Sequence, residues 1–189
     1  METETKKTLL KPYLDAVQNS DIKNFMIQCI ATIPNYWFKA PASSSGRFHP
    51  KYALGEGGLM RHTLGILQFV NRLRENNIYR SQFTEREFDL ICVACLMHDS
   101  RKCGDDEDYK KSQRTRFEHP LLAAEVIRFI NTTYVTDEEK EFVASAVETH
   151  MGQWNTKDSV TLPLPLTNHQ KFVHLVDYIA SMRNCNMEL

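Results

Sequence analysis

Apolar residues recur along this chain mostly at spacings of three and four rather than two, and that period commits most of it to helices. Two segments also carry helix starts in their spelling. Thr84-Glu-Arg-Glu87 and Thr136-Asp-Glu-Glu139 each place a hydroxyl three residues before a glutamate, the reciprocal pairing that caps a first turn. The first opens a stripe of Phe88, Ile91, Cys92, Cys95 and Leu96 that runs into His98-Asp99 and stops near Gly104. The second introduces Phe142, Val143, Ala146, Val147 and His150 on one face. Further helices are expected over 8–19, 21–33 (with Ser20 as a cap), 58–76, 119–131 and 168–184. Residues 40–57 and 101–116 read as irregular connections, and no strand-turn-strand signal or repeat is visible. The expectation is an all-α, single-domain bundle of six to eight helices. Its core spans about 38–183, with N-terminal helices over 8–33 packed on it.

With 189 residues the chain has the length of one domain, able to bury roughly 70% of its unfolded surface. Hydrophobic residues make up 42%, too many for a disordered chain. A net charge of −1 argues against a protein that coats nucleic acid or anionic lipid. The longest apolar run, Leu90 to Met97, is eight residues, less than half a bilayer span, so no membrane partner is expected. Five cysteines without framework spacing, and no apolar stretch behind the charges at the N-terminus, fit a reduced cytoplasmic protein. Cys92-Val-Ala-Cys95 falls in mid-helix on an apolar face and reads as core, not as a redox or zinc pair.

Packing does not account for a set of titratable side chains on or beside the apolar stripes. His62, His98, Asp99, His150 and Asp177 belong to helices that otherwise pack, and His119 opens another. A buried polar group without a partner costs about 1–3 kcal/mol, and an isolated charge far more. A divalent ion supplies the missing compensation, and imidazole with carboxylate suits Mn, Fe, Co, Ni or Zn.

The same residues carry a family resemblance. His62, then Met97-His98-Asp99-Ser-Arg-Lys102, then Asp177 in Val-His-Leu-Val-Asp-Tyr-Ile-Ala resemble the HD superfamily of metal-dependent phosphohydrolases. The closest likeness is to its exoribonuclease-like branch. Gly57-Gly58-Leu59 precedes His62 as it does there, Pro41-Ala42 and His49 echo an upstream segment, and Glu148-Thr-His150-Met-Gly152-Gln-Trp154 echoes a Ser-His-His-Gly motif. Met151 replaces the second histidine of that motif, and the branch's nucleic-acid-binding domain has no counterpart in these residues.

The resemblance implies a metal site on His62, His98, Asp99 and Asp177. His119 and His150 occupy the places of the second ion's ligands, and Asp99 would bridge the pair. Lys102 would face the phosphate. The implied reaction is hydrolysis of a phosphate ester by a metal-activated water, with the two ions clamping an in-line displacement. The implied substrate is a small nucleotide or short phosphodiester, ahead of extended nucleic acid. A single-strand nuclease and a non-catalytic nucleotide-binding module remain the alternatives. His49 and His174 are candidate proton donors to the leaving group. The 101–116 segment, with six basic and four acidic residues, is either a solvated loop or a basic flap over a substrate with several phosphates. Arg47, His49, Arg114 and Trp154 are the further candidate substrate contacts, Trp154 by stacking on a base. Tyr36, Trp37 and Phe38 read as packing.

Overall fold

The computed structural model describes residues 1–46, 49–185 and 187. Among them the chain forms ten α-helices: α1 (Thr3–Leu9), α2 (Lys11–Ala16), α3 (Ser20–Thr32), α4 (Gly58–Arg74), α5 (Asn77–Arg80), α6 (Glu85–Met97), α7 (Asp106–Lys111), α8 (His119–Phe129), α9 (Asp137–Glu148) and α10 (Asn168–Ser181). The fold is all-α, as the periodicity predicts. The hydrogen bonds of both capping boxes are in place, at Thr84 with Glu87 and at Thr136 with Glu139.

The helix count exceeds six to eight for local reasons. The expected 8–19 helix breaks at Leu10, because Pro12 has no N–H for the Thr8 carbonyl and its ring crowds it. Asn76 ends the expected 58–76 helix by accepting from the Ile78 N–H at 3.0 Å and capping α5. The charged connection contains α7, whose start Asp105 and Asp108 cap reciprocally. A two-residue hairpin pairs Thr156–Lys157 (β1) with Val160–Thr161 (β2), turned at Asp158, whose φ of 52° is left-handed. At the other expected cap, Asn19 rather than Ser20 accepts from Asp21 and Ile22.

Helix α6 is the axis. Every residue from Phe88 to Met97 is buried, and α3, α4, α9 and α10 pack around it. One continuous apolar core runs from Leu10 to Ala180. The N-terminal helices join it through Tyr13, whose hydroxyl donates to the Thr63 carbonyl on α4 at 2.7 Å. Lys6 is buried against the end of α3, where its ammonium donates to the Ile33 carbonyl at 2.5 Å. The cysteines behave as expected: Cys92 and Cys95 are buried, and burial pushes the Cys92 thiol up to about 12.

Two pieces of irregular backbone aim the polar residues. The 40–57 connection folds onto the start of α4, with Gly57 donating to Lys39 at 2.8 Å and Leu59 to Ala40 at 2.9 Å. Arg61 satisfies its carbonyls, donating to Tyr52, Leu54 and Glu56. Gly57 holds a φ of 69°, and a Cβ on Gly58 would sit 2.1 Å from the Ala53 oxygen. The Gly-Gly pair is therefore required where α4 begins, one turn before His62. Tyr36 secures the second piece, the exit from α6. It stacks on Tyr109 at 4.5 Å, accepts from Cys103 N–H at 2.8 Å and donates to the Gly104 carbonyl at 3.1 Å. Tyr36, Trp37 and Phe38 are all buried, as packing residues should be.

Candidate metal centre

Three histidines sit at helix or turn ends, where backbone carbonyls lack helical partners. His98 Nδ1 donates to the Cys95 carbonyl at 2.7 Å, His119 Nδ1 to Arg116 at 2.6 Å, and His150 Nδ1 to Val147 at 2.7 Å. In each the acceptor lies three residues upstream. A carbonyl can only accept, so Nδ1 must carry a proton, and Nε2 is the nitrogen left to present a lone pair to a cation. This is the orientation a metal-binding imidazole takes when the backbone holds its other nitrogen. The Arg116 N–H donates to the Lys102 carbonyl at 2.8 Å, which brings the start of α8 against the His98-Asp99 turn.

The lone pairs converge on Asp99, which is 3% exposed. Its Oδ1 lies 2.8 Å from His119 Nε2 and 3.8 Å from His150 Nε2, and those two nitrogens are 3.3 Å apart. Its Oδ2 lies 3.5 Å from His98 Nε2 and pairs with the Lys102 ammonium. On the other side, His62 Nε2 is 3.0 Å from Asp177 Oδ1, and His98 Nε2 is 3.7 Å from the same oxygen. Two triads result, His62–His98–Asp99 and Asp99–His119–His150, each with ligand atoms within 4.8 Å of one another. Asp99 belongs to both. Asp177 stands outside the triads but against His62 and His98.

Burial and charge act in opposition here. Burial alone would raise the Asp99 carboxyl, but Lys102, His98 and His119 hold it well below the usual carboxylate range. Asp177 likewise stays ionised, burial being outweighed by the His62 hydrogen bond and the nearby His98. Burial lowers His62, and together with His98 and His119 it takes His150 down to about 3. For His98 burial also pulls downward, yet Asp99 and Asp177 raise it. Where a neutral imidazole faces the Asp99 carboxylate, as His119 and His150 do through Nε2, the two lone pairs repel unless a cation lies between them. Among the described residues, His98 Nε2, Asp99 Oδ1 and His62 Nδ1 have no hydrogen-bond partner despite full burial. A nitrogen and carboxylate donor set of this kind fits a divalent transition ion.

A cleft of about 580 Å³ opens over Asp99, His119, His150 and Asp177. Lys102, His49, Trp154 and Tyr178 form part of its wall. His49 packs edge-on against His62 at 4.8 Å, and burial takes its imidazole down to about 3. His174 stands behind the wall, donating from Nδ1 to the His150 carbonyl at 2.8 Å. Arg47 lies outside the described residues.

Two expectations need correction. Arg114 is exposed and does not line the cleft; Thr115 is the residue of that segment which does. The 101–116 segment is solvated, with residues 110–114 exposed, but it is not irregular throughout, since it holds α7. Lys110 pairs with Glu107 at 2.6 Å, and Arg116 with Asp108 at 3.0 Å and with Glu118 beyond the segment at 2.8 Å, so these two of its six basic residues are paired locally. Sequence reasoning missed Tyr178, Met182 and Ser43 to Ser45 as cleft residues. Tyr178 is adjacent to Asp177 and Ser43 follows Pro41-Ala42, signals that proximity to the motifs could have supplied.

A family model described as HD domain matches residues 59–182, about two thirds of the chain, and that span contains both triads and Asp177. No curated protein and no solved structure matches the chain. No helix among the described residues is long and apolar enough to cross a membrane.

Proposed function

The chain belongs to the HD domain family, and on that premise we propose that it is a metal-dependent phosphohydrolase acting on a nucleotide or related phosphate ester. The observation that carries this reading is the pair of buried triads sharing Asp99, in which His98 Nε2 and Asp99 Oδ1 have no hydrogen-bond partner among the described residues.

His62, His98, Asp99 and Asp177 would hold one divalent ion, and Asp99, His119 and His150 a second, with Mn, Fe, Co, Ni or Zn as suitable metals. Ions held there supply Lewis acidity, polarising a phosphoryl oxygen and acidifying water near neutral pH. The chain's own residues do the rest. The carbonyls of Cys95, Arg116 and Val147 keep the imidazoles aimed, so no reorientation is needed when substrate arrives. Lys102 lines the cleft and pairs with Asp99, and its ammonium would neutralise charge on a nonbridging phosphoryl oxygen. His49, neutral and at the cleft wall, can donate a hydrogen bond to the same group. The chain resembles the exoribonuclease-like branch through Gly57-Gly58-Leu59 and His150-Met-Gly152, and we assign it a small substrate in place of a long strand because the cleft is of single-ligand size.

The test is phosphate release from Mn-supplemented protein over a panel of nucleotides, cyclic dinucleotides and short oligonucleotides. Wild type should turn over at least one small member, and Asp99→Ala should fall to the level of metal-stripped protein. Silence of the wild type across the panel, or unchanged turnover in Asp99→Ala, would contradict the proposal.

A further inference from the structure

The cleft wall holds a feature that hydrolysis of a bare phosphate does not require. Trp154 is 48% exposed and Tyr178 36% exposed, both on the cleft, with ring centroids 5.3 Å apart. Behind them His174 stacks nearly parallel to Tyr178, at 13° between planes, and lies 6.1 Å from Trp154. A large aromatic left open in a concave site is the informative exception among exposed apolar residues.

The placement of this aromatic pair is built in. Trp154 ends a one-turn 3₁₀ segment, Gly152–Trp154, that begins two residues after His150. Gly152 has a φ of 54°, and a Cβ there would strike the His174 ring at 2.2 Å. The bare backbone lets His174 fit beneath the turn while its Nδ1 holds the His150 carbonyl. Tyr178 follows Asp177 directly. Each aromatic is thus tethered to a candidate metal ligand, and the pair lies a short covalent distance from the reacting centre.

We infer that Trp154 and Tyr178 form a stacking shelf for one nucleobase, which makes Trp154 a specificity-determining residue for a nucleoside phosphate. The inference rests on the hydrolase reading for the position of the phosphate, and it adds the part of the substrate that does not react. The two rings are inclined at 46°, so the base stacks on the exposed Trp154 ring with Tyr178 flanking it, a mode open to any base. Ser43 lines the same cleft, its hydroxyl 3.3 Å from that of Ser45, and can also meet a polar edge of the base or sugar. Remote binding of this kind orients the phosphate for attack.

Intrinsic fluorescence provides a direct test, because the two tryptophans differ: Trp37 is fully buried while Trp154 is on the cleft. Mn-loaded protein is titrated with the common ribonucleoside 5′-monophosphates and, as a base-free probe, ribose 5-phosphate. A monophosphate should quench saturably, and ribose 5-phosphate should not. Trp154→Ala should abolish the quench and raise KM for the preferred monophosphate about tenfold, with kcat changed less. Trp154→Phe should recover most of that KM, and both variants should retain the wild-type ion content. Equal KM for ribose 5-phosphate and the monophosphates, with Trp154→Ala unchanged, would overturn the shelf while leaving the hydrolase intact. Saturable quenching without turnover would keep the shelf and remove the hydrolase. Absence of quenching by every monophosphate, with Trp154→Ala unaltered, would mean that the aromatic pair serves another partner and would also overturn the inference.

Discussion

Asp89 and Asp99 stand near opposite ends of the same buried helix, at 1% and 3% exposure, and the surrounding chain treats them differently. Asp89 meets donors. It accepts from the N–H groups of Gln18 at 3.0 Å and Asn19 at 2.8 Å and from Arg74 at 3.1 Å, while Arg74 also pairs with Glu85. Asp99 meets Lys102 on one oxygen and imidazole lone pairs on the other. The first arrangement is closed and ties the α2–α3 junction to α4 and α6. The second is open toward a cation. A buried carboxylate is therefore not by itself a sign of function; what distinguishes the two is whether its neighbours donate protons or compete to accept one.

The largest effect should fall on the closed end. Asp89→Ala strands Arg74 and two backbone donors and should lower the unfolding free energy by about 3–5 kcal/mol, equally with and without metal, in urea titrations. Asp99→Asn should do the reverse. Its unfolding in metal-free buffer should change less than that of Asp89→Ala. Wild type should gain about 2.7 kcal/mol at an ion concentration one hundred times Kd, and Asp99→Asn should gain almost none. A metal-dependent gain in Asp99→Asn equal to that of wild type would erase the contrast.

Acid sharpens the same comparison. His150 has a folded value of about 3 against an ordinary 6.5, so the unfolded chain binds the extra proton between those limits. Metal-free stability should thus fall as pH drops through that window. Asp99 and Asp177, held below 3.8, act in the same direction: their contribution is present above that value and lost as pH falls through their folded values. His98 opposes them, since its raised value gives stability that is full below 6.5 and lost as pH rises through the folded value. Asp89→Ala should keep this profile, whereas Asp99→Asn should lose the part below 3.8 that belongs to its own carboxylate and, without the charge that raises His98 and His150, steepen the fall above it, as read from urea midpoints across pH. The smallest effect belongs to the caps: Thr136→Ala should cost about 1 kcal/mol and leave ion affinity unchanged.

How much of this was legible in the sequence depended on periodicity. Thr84 and Thr136 announced helix starts because a capping box is a local rule, and the six candidate ligand positions stood out as polar residues on or beside apolar stripes. The break at Leu10 was legible in principle through Pro12, whose effect reaches back four residues. The segments without a period were less transparent. Nothing in 101–116 indicates that Thr115 rather than Arg114 faces the cleft, because side-chain direction in a connection is set by tertiary contacts such as Arg116 N–H on Lys102. The same holds for Ser43 to Ser45, which sit where Arg61 and the Gly57-Gly58 turn fold the 40–57 segment back.

The central claim is that two cations share Asp99, and counting bound ions tests it most directly. Elemental analysis of protein equilibrated with Mn or Zn should return close to two ions per chain for wild type, about one for His119→Ala, and close to none for Asp99→Asn. A folded wild type that retains no ion, or an Asp99→Asn protein that retains the full complement, would contradict the account.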